Sequence, residues 1–299
     1  MSKLKTLVKL IKENPKSIFI VLAKYNLFNF IPDKPYLKIL YRLEMGEKLN
    51  LENPKGYNEK LQWIKLYDRK NEYKTYVDKY EVRRYVEGKV GRKYLIPILG
   101  KYESTKEIDW DNLPNEFVLK CTHGSGSNVI CTDKTKLNFK MYEKKINKWM
   151  KRNWYYFGRE WPYKELHPSI ICEKFIGNKS KVPEDYKIMC FGGEPKLIQV
   201  HRGRYSEYTQ DFYDIYWNKM DFNNVGYKGS KYEHEKPKQL EEMLDIARKL
   251  SEGLRQIRID LYCVNEQIYF GEMTFFDASG LAKFEPHEYE DIIGSWIKI

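Results

Sequence analysis

A lysine closes an apolar run, a loop of glycine and serine follows, and a second apolar run leaves the loop. This is Phe117-Val118-Leu119-Lys120-Cys121-Thr122-His123-Gly124-Ser125-Gly126-Ser127-Asn128-Val129-Ile130. Glycines let a backbone curl closely over an anion, backbone N–H groups and serine hydroxyls donate to phosphate oxygens, and the lysine adds a point charge. The exit through Asn128–Cys131 reads as a strand, so the segment is neither a Walker A loop nor a Rossmann turn, both of which open a helix. It suits a lid over a nucleotide, with Lys120, Gly124, Ser125, Gly126 and Ser127 on the phosphates. His123 either shapes the loop or adds a phosphate contact.

A second set of chemical groups lies near the other end. Strand alternation sends Ile257, Ile259, Leu261 and Cys263 one way and Arg258, Asp260 and Tyr262 the other. On the next strand Phe270, Glu272 and Thr274 are expected to share a face. A hairpin in simple register then brings Arg258, Asp260, Glu272 and Thr274 together. Two carboxylates beside an arginine suit Mg²⁺ bridging phosphate oxygens, with Asp260, Glu272 and Thr274 as ligands. Arg258 would stabilise charge on a transferring phosphoryl group. An isolated Arg-x-Asp is ordinarily a solvated ion pair; the Gly/Ser loop in the same chain favours the metal reading.

Between the two sets stands Ile170-Ile171-Cys172-Glu173-Lys174-Phe175-Ile176-Gly177. It reads either as a plain strand end or as a hinge whose backbone from Lys174 to Ile176 meets an adenine edge. In the hinge reading Phe175 and Ile176 wall the ring and Glu173 leads in. Asp185 and Lys187 share a strand face, where Asp185 suits ribose hydroxyls and Lys187 the transferred phosphate; a solvent-facing pair is the alternative. Arg202 and Arg204, in His201-Arg202-Gly203-Arg204, offer bidentate contacts to a substrate carboxylate or phosphate. Ser279 and Gly280, just past the last strand, are assigned to the substrate as well.

The elements that must position these groups are α and β in mixed order. The chain has 299 residues, 42% hydrophobic and 32% charged, enough for one large domain or two to three small ones. Residues 1–60 read as a helical N-terminal region and 61–115 as an N-terminal α/β subdomain that includes a strand over Tyr94–Leu99. Residues 116–183 read as the lid, with a helix near 139–151. Residues 184–299 form the C-terminal unit, with strands near 185–192, 196–202, 212–217, 257–264 and 267–275. A helix from Pro237 to about Gln256 and a last one from about Pro286 complete it. The class is α+β, with antiparallel sheets and the nucleotide between two of them.

The net charge of +11 favours an acidic partner, an acidic glycan or an anionic surface, and the sequence holds no nucleic-acid module. Five cysteines without paired spacing fit reduced thiols and a cytoplasmic location; five histidines lack metal-ligand spacing. Leu4, Leu7, Val8, Leu10 and Ile11 recur at helical spacing among lysines, too short a run to span a membrane. Such a start either packs on the body as part of a helix pair or lies peripherally at the inner face of a membrane.

Taken together, the lysine before a Gly/Ser lid, the Glu173-Lys174-Phe175-Ile176 hinge, Arg258-x-Asp260 and Glu272-x-Thr274 resemble the ATP-grasp superfamily. The separation 272 − 260 = 12 is near that of the D-alanine–D-alanine ligases. Asn53-Pro54-Lys55-Gly56-Tyr57-Asn58-Glu59-Lys60-Leu61-Gln62-Trp63, Asp78-Lys79-Tyr80, Asp185-Tyr186-Lys187 and Phe270-Gly271-Glu272-Met273-Thr274 are more closely similar to the TupA-like ATP-grasp family of surface-polysaccharide loci. The resemblance covers roughly residues 36–294. It implies ATP and Mg²⁺, an acyl phosphate made from a carboxylate, and capture by an amine, with an acidic sugar or polysaccharide precursor and an amine as substrates. It adds Lys79 as a phosphate contact and makes Arg258 and Lys187 the catalytic cations; most such ligases carry Asn where Thr274 stands. Members are also labelled glycosyltransferases, for which Asp109-Trp110-Asp111 has the metal-binding spacing, and a kinase of the same fold is a third reading.

Overall fold

Apolar residues three and four apart build the helices that open the chain. The computed structural model describes residues 17–25, 27–177, 182–203 and 207–299. Helix α1 (Ser17–Lys24) packs on α2 (Asp33–Met45), which buries Tyr36, Leu37, Leu40, Tyr41 and Met45 and stops at Gly46, a left-handed cap with φ 83°. Phe19 stacks on Phe28 at 4.5 Å between ring centroids. Arg159, only 1% exposed, donates to the carbonyls of Phe28 (2.9 Å) and Ile31 (3.1 Å) from beneath. Among the described residues, Ala23 of α1 is buried with Tyr36, Leu37 and Leu40 of α2. The stripe Leu4–Ile11 lies outside the described residues.

Helices α3 (Tyr57–Tyr67), α4 (Tyr73–Val77) and α5 (Val82–Val90) follow. The Asp78 carboxylate accepts from the N–H groups of Tyr80 (2.8 Å) and Glu81 (3.0 Å) and so fixes the approach to α5. Leu61, Ile64, Tyr73, Val77, Val82 and Val86 join the core of the C-terminal sheet. Strand β1 (Ile98–Tyr102) pairs antiparallel with residues 170–173. The strand expected at Tyr94–Leu99 starts later: Arg92–Tyr94 is a 3₁₀ turn, and Pro97, which has no N–H for a ladder, gives its carbonyl to Lys174 N (2.9 Å).

The lid sheet is antiparallel, in the order β1-β4-β2-β3, with β2 (Phe117–Cys121), β3 (Asn128–Cys131) and β4 (Ile170–Lys174). Phe117, Leu119, Val129 and Cys172 form one face and pack on Ile146 of α6 (Phe139–Met150). The opposite face carries Val118, Lys120, Asn128, Ile130 and Glu173, which cross-strand pairing brings side by side. The short α7 (Tyr155–Gly158) leads back toward the N-terminal helices.

The second sheet, also antiparallel, runs β10-β9-β5-β6-β7, from β5 (Asp185–Phe191), β6 (Glu194–Arg202), β7 (Thr209–Tyr213), β9 (Gln256–Val264) and β10 (Gln267–Thr274). A two-stranded ribbon pairs β8 (Asn223–Asn224) with β11 (Phe284–Glu285). Helix α8 (Leu240–Ser251) covers one face, burying Met243, Ile246, Ala247 and Leu250 with Ile188, Cys190, Ile257, Ile259 and Leu261. Each large apolar side chain so buried contributes about 1.5–3 kcal/mol. α8 is shorter than expected, since the chain turns at Gly253 (φ 76°), and the last helix, α9 (Tyr289–Ser295), starts beyond Pro286.

The terminal hairpin differs from the expected register. Its turn is Asn265-Glu266, both at positive φ (49° and 66°), as a two-residue hairpin turn requires. Phe270 pairs with Leu261, which in simple register would leave Glu272 opposite Ile259 on the core face. Instead the register slips by one at Gly271, and Glu272 pairs with Asp260 and Thr274 with Arg258. The convergence expected from alternation is therefore produced by a β-bulge, and Phe270 does not share the face of Glu272 and Thr274. The bulge is tightly packed on glycine: a Cβ on Gly271 would lie 3.0 Å from both the Asp260 carbonyl and the Tyr262 ring.

Candidate active site

The open face of the lid sheet and the site-bearing face of the second sheet enclose a cavity of about 640 Å³, a size that suits a small-molecule ligand. Lys120, Asn128 and Ile130 line it from β2 and β3, Glu173–Ile176 from the end of β4 and the residues after it, and Asp185, Arg202 and Tyr262 from the second sheet. Lys120 Nζ lies 2.6 Å from Glu173, which also faces Arg83 at 3.5 Å, so one buried carboxylate anchors two cations at the wall. Phe175 is buried, whereas the Lys174 side chain points to solvent.

In the Gly/Ser loop, Gly126 takes φ 69°, a conformation that glycine adopts without penalty. The Trp154 ring comes within 3.4 Å of where a Cβ on Gly124 would sit. Cys121 N–H donates to Ser127 O (3.1 Å) and closes the loop; the Ser127 hydroxyl reaches Ser125 O at 3.4 Å. Ser125 and Gly126 remain exposed. His123 turns inward instead, with Nε2 at 3.3 Å from Trp149 O, and burial lowers its pKa.

The site-bearing face of the second sheet is a lattice of alternating charge. Lys187 sits opposite Asp260 and contacts both that carboxylate and Asp185 (3.0 Å). Arg258 donates to Asp260 through Nε (2.7 Å) and Nη2 (2.9 Å), and also engages Asp277. Its Nη2 lies 3.4 Å from Glu272 and 3.2 Å from the Thr274 hydroxyl, which donates to Glu272 at 3.1 Å. Lys79 Nζ bridges Gly124 O (2.6 Å) and Glu272 Oε2 (3.3 Å), tying the Gly/Ser loop to the carboxylates. Burial alone would raise the pKa of Glu272, but Lys79, Lys187 and Arg258 hold it well below the usual carboxylate range. Lys187 stays protonated: burial and the Arg258 charge lower its pKa, while Asp185, Asp260 and Glu272 raise it further than that.

Asp260 and Glu272 are facing hard-oxygen donors, a chemistry that fits Mg²⁺ when a nucleotide supplies the remaining oxygens. Among the described residues no group of three or more His, Cys, Asp or Glu side chains is placed to hold a metal by itself. Thr274, expected as a third ligand, links Arg258 to Glu272 in this structure.

The expected substrate contacts are spread more widely. Arg202 pairs with Glu184 at 2.8 Å on the cavity wall, and Arg204 lies outside the described residues. The Ser279 hydroxyl is bonded to Glu160, and the carbonyls of Ser279 and Gly280 accept from Gln62. Sequence reasoning missed Asp277, Arg83 and Glu160. Asp277 follows the strand that carries Glu272 by only a few positions, which was the available hint. Asp109 and Asp111 of the alternative metal motif are exposed, and Asp109 accepts from Asn112 (2.7 Å) in a surface turn.

The ATP-bound D-alanine–D-alanine ligase of Bacillus anthracis is 15% identical, over 67% of this chain and 55% of its own, with a TM-score of 0.41. The L-amino acid ligase of Bacillus licheniformis is 10% identical over 84% and 57%, with a TM-score of 0.46. A RimK domain ATP-grasp protein of Sphaerobacter thermophilus is 10% identical over 77% and 70%, with a TM-score of 0.42. The chain spans little more than half the length of the two ligases, 55% and 57%. No curated protein matches the sequence. The profile described as TupA-like ATPgrasp matches residues 59–298, which take in both sheets, the Gly/Ser loop and the carboxylate hairpin. By that match, the chain belongs to the TupA-like ATP-grasp family.

Proposed function

We propose that this protein is an ATP-dependent carboxylate–amine ligase that works through an acyl phosphate and modifies a cell-surface polysaccharide or its precursor. The pairing we favour joins an amino acid to a uronic acid. The observation that carries the reading is the bulged hairpin, which sets Asp260 and Glu272 face to face beneath Arg258, Lys187 and Lys79, beside a cavity reached by Lys120.

In this reading the lid is residues 116–183, and ATP lies between it and the second sheet. Adenine sits against Phe175 and the Lys174–Ile176 backbone, ribose near Asp185, and the phosphates near Lys120 and the Gly124–Ser127 loop. A carboxylate oxygen of the substrate attacks the γ-phosphorus, the bond to the β–γ bridging oxygen breaks, and ADP leaves. The amine nitrogen then attacks the acyl carbon, the C–O bond to phosphate breaks, and the nitrogen gives up a proton. Lys187 and Arg258 offset the negative charge that builds on the transferring group. Asp260 and Glu272 would hold Mg²⁺, which would supply charge neutralisation at the phosphates.

We place the protein in the cytoplasm with a peripheral membrane contact. No described helix is long and apolar enough to cross a membrane. Tyr25, Leu27 and Phe30, in the turn between α1 and α2, are 70%, 56% and 82% exposed. Residues 1–34 carry seven lysines against two acidic residues, and an apolar turn within a basic sequence suits anionic lipid.

Product analysis tests the reaction. The protein is incubated with MgATP, a panel of amino acids and uronic acids labelled with ¹⁸O in the carboxylate. ADP, an amide and one ¹⁸O in the released phosphate are expected. ADP with a stable phosphorylated product would make it a kinase, and nucleoside diphosphate released from a sugar donor would make it a glycosyltransferase.

A further inference from the structure

The segment Asn53–Trp63 carries much of the sequence resemblance, yet it contributes no group to the nucleotide cavity. Its helix, α3, faces another feature. Directly after Asp277 the backbone makes a left-handed run through Ala278 (φ 43°), Ser279 (φ 60°) and Gly280 (φ 61°). Left-handed backbone is disfavoured for residues with a Cβ and persists where the surroundings over-determine it.

What over-determines it is a stripe of polar residues on α3, together with Glu160, which accepts from the Ser279 hydroxyl. Asn58, Gln62 and Lys65 stand at i, i+4 and i+7, one face of a helix, and are 1%, 0% and 0% exposed. Gln62 Nε2 donates to the carbonyls of Gly280 (2.7 Å) and Ser279 (3.2 Å). Lys65 Nζ donates to Ser279 O (2.7 Å) and to Gln62 Oε1 (3.0 Å), and Asn58 Nδ2 donates to Ala282 O (2.8 Å). Buried amides and ammonium groups are costly unless bonded, and here their partners are chiefly the carbonyls of this turn. The fit is close on the turn's side as well: a Cβ on Gly280 would come within 2.6 Å of Gln62 Nε2 and 2.9 Å of Leu61 Cβ.

The turn in turn holds the catalytic arginine. Asp277, at its head, engages Arg258 Nη1, while Nε and Nη2 of the same guanidinium grip Asp260. The planar fork of arginine fixes direction when several of its N–H groups are bonded at once. Asp277 thus supplies the third anchor of the guanidinium, on Nη1, opposite the two N–H groups held by Asp260.

We propose that Asn58, Gln62 and Lys65 are positioning residues, which clamp the left-handed turn so that Asp277 holds Arg258 in register with the carboxylate pair. The consequence for turnover rests on the ligase reading; the clamp itself does not. It gives the helical segment outside the cavity a function, through carbonyl recognition more than 200 positions along the chain.

The test uses Gln62→Leu, Lys65→Met and Asp277→Asn in the full chain. Lys65→Met removes one member of a buried charge pair with Glu160, which is destabilising, so Asp277→Asn, which leaves the α3 contacts in place, keeps the proposal testable if an α3 variant folds poorly. Hydrogen exchange by mass spectrometry is read first, because it needs no substrate. Amide exchange over residues 277–282 should speed up about tenfold or more in both α3 variants, with the rest of the chain unchanged. Turnover should fall about 10–100-fold at an unchanged Kd for MgATP, as expected when a reacting group is misplaced while nucleotide binding stays intact. In the Asp277→Asn background, Gln62→Leu should cost little more, because both act through one element. Unaltered exchange over the turn would overturn the clamp, and effects that simply multiply would overturn its action through Asp277. A wild-type protein without ADP-forming turnover would count against the ligase reading and leave the exchange result standing.

Discussion

Replacing Glu272 with glutamine should move nucleotide affinity in opposite directions with and without magnesium. Around Arg258 the carboxylates Asp185, Asp260, Glu272 and Asp277 face the cations Lys79, Lys187 and Arg258, a local sum of −4 + 3 = −1. The Glu272 side chain is 28% exposed and meets Lys79 at 3.3 Å and Arg258 at 3.4 Å. A unit-charge pair at such a distance interacts by about 5 kcal/mol at an effective dielectric of about 20. Desolvation and side-chain ordering leave roughly 1–2 kcal/mol of net attraction for a partly exposed pair. Glu272→Gln releases that hold on Lys79 and removes one negative charge facing the phosphates. ATP in excess chelator should then bind about tenfold more tightly, the factor that corresponds to ~1.4 kcal/mol. With Mg²⁺ present the missing carboxylate ligand should weaken binding, and turnover should fall by about 10²–10³. Because its cations hold Glu272 well below the usual carboxylate range, the contrast should persist from mildly acid to alkaline pH. Calorimetric titration with ATP, in chelator and in magnesium, reads both signs. Parallel changes in the two conditions would refute the assignment of Glu272 to the metal.

Three further outcomes follow from particular side chains. Gly271→Val should cost about 1–3 kcal/mol in urea unfolding through overpacking at the bulge and should lower MgATP turnover more than stability alone explains. Full activity would show that the bulge does not set the site. Glu290 is pushed up to about 7 by burial, despite its hydrogen bonds from Asn58. A carboxyl raised on folding binds more protons in the folded state, so its contribution is full below the ordinary carboxylate pKa and is lost as pH rises through about 7. Wild-type thermal stability should decline from pH 5 to 8 more steeply than that of Glu290→Gln, and equal slopes would contradict this. Tyr25→Ser, Leu27→Ser and Phe30→Ser combined should reduce sedimentation with phosphatidylglycerol-containing vesicles about tenfold or more and spare MgATP binding. Undiminished sedimentation would remove this turn as the membrane contact.

Much of the architecture was legible because it rests on local pattern. The alternation in Phe117–Cys121 and Gln256–Val264 identified strands, and glycine and serine between two apolar runs marked the loop that joins β2 to β3. The carboxylate pair was legible only in part. Alternation brought Asp260 and Glu272 to one side under a register the hairpin does not adopt, and a single extra residue at Gly271 restored the outcome. Period-two reasoning cannot anticipate such an insertion, because one residue reverses every side chain beyond it. The contacts that His123 makes to Trp149, and Thr274 to Arg258 and Glu272, were not legible, since they join residues far apart in the chain or across the bulge. The clamp was out of reach for the same reason: Gln62 and Ser279 are 217 positions apart, and nothing local in α3 names its partner. Its one trace was three polar residues on the inward face of an otherwise apolar helix stripe.

The central claim is that the cavity between the sheets takes ATP with a divalent cation. Titration of the purified protein with MgATP, with ATP in chelator and with UDP-sugars addresses it directly. Saturable MgATP binding that weakens without magnesium, alongside little heat from UDP-sugars, is the predicted result. Binding of a UDP-sugar with no response to ATP would contradict the account.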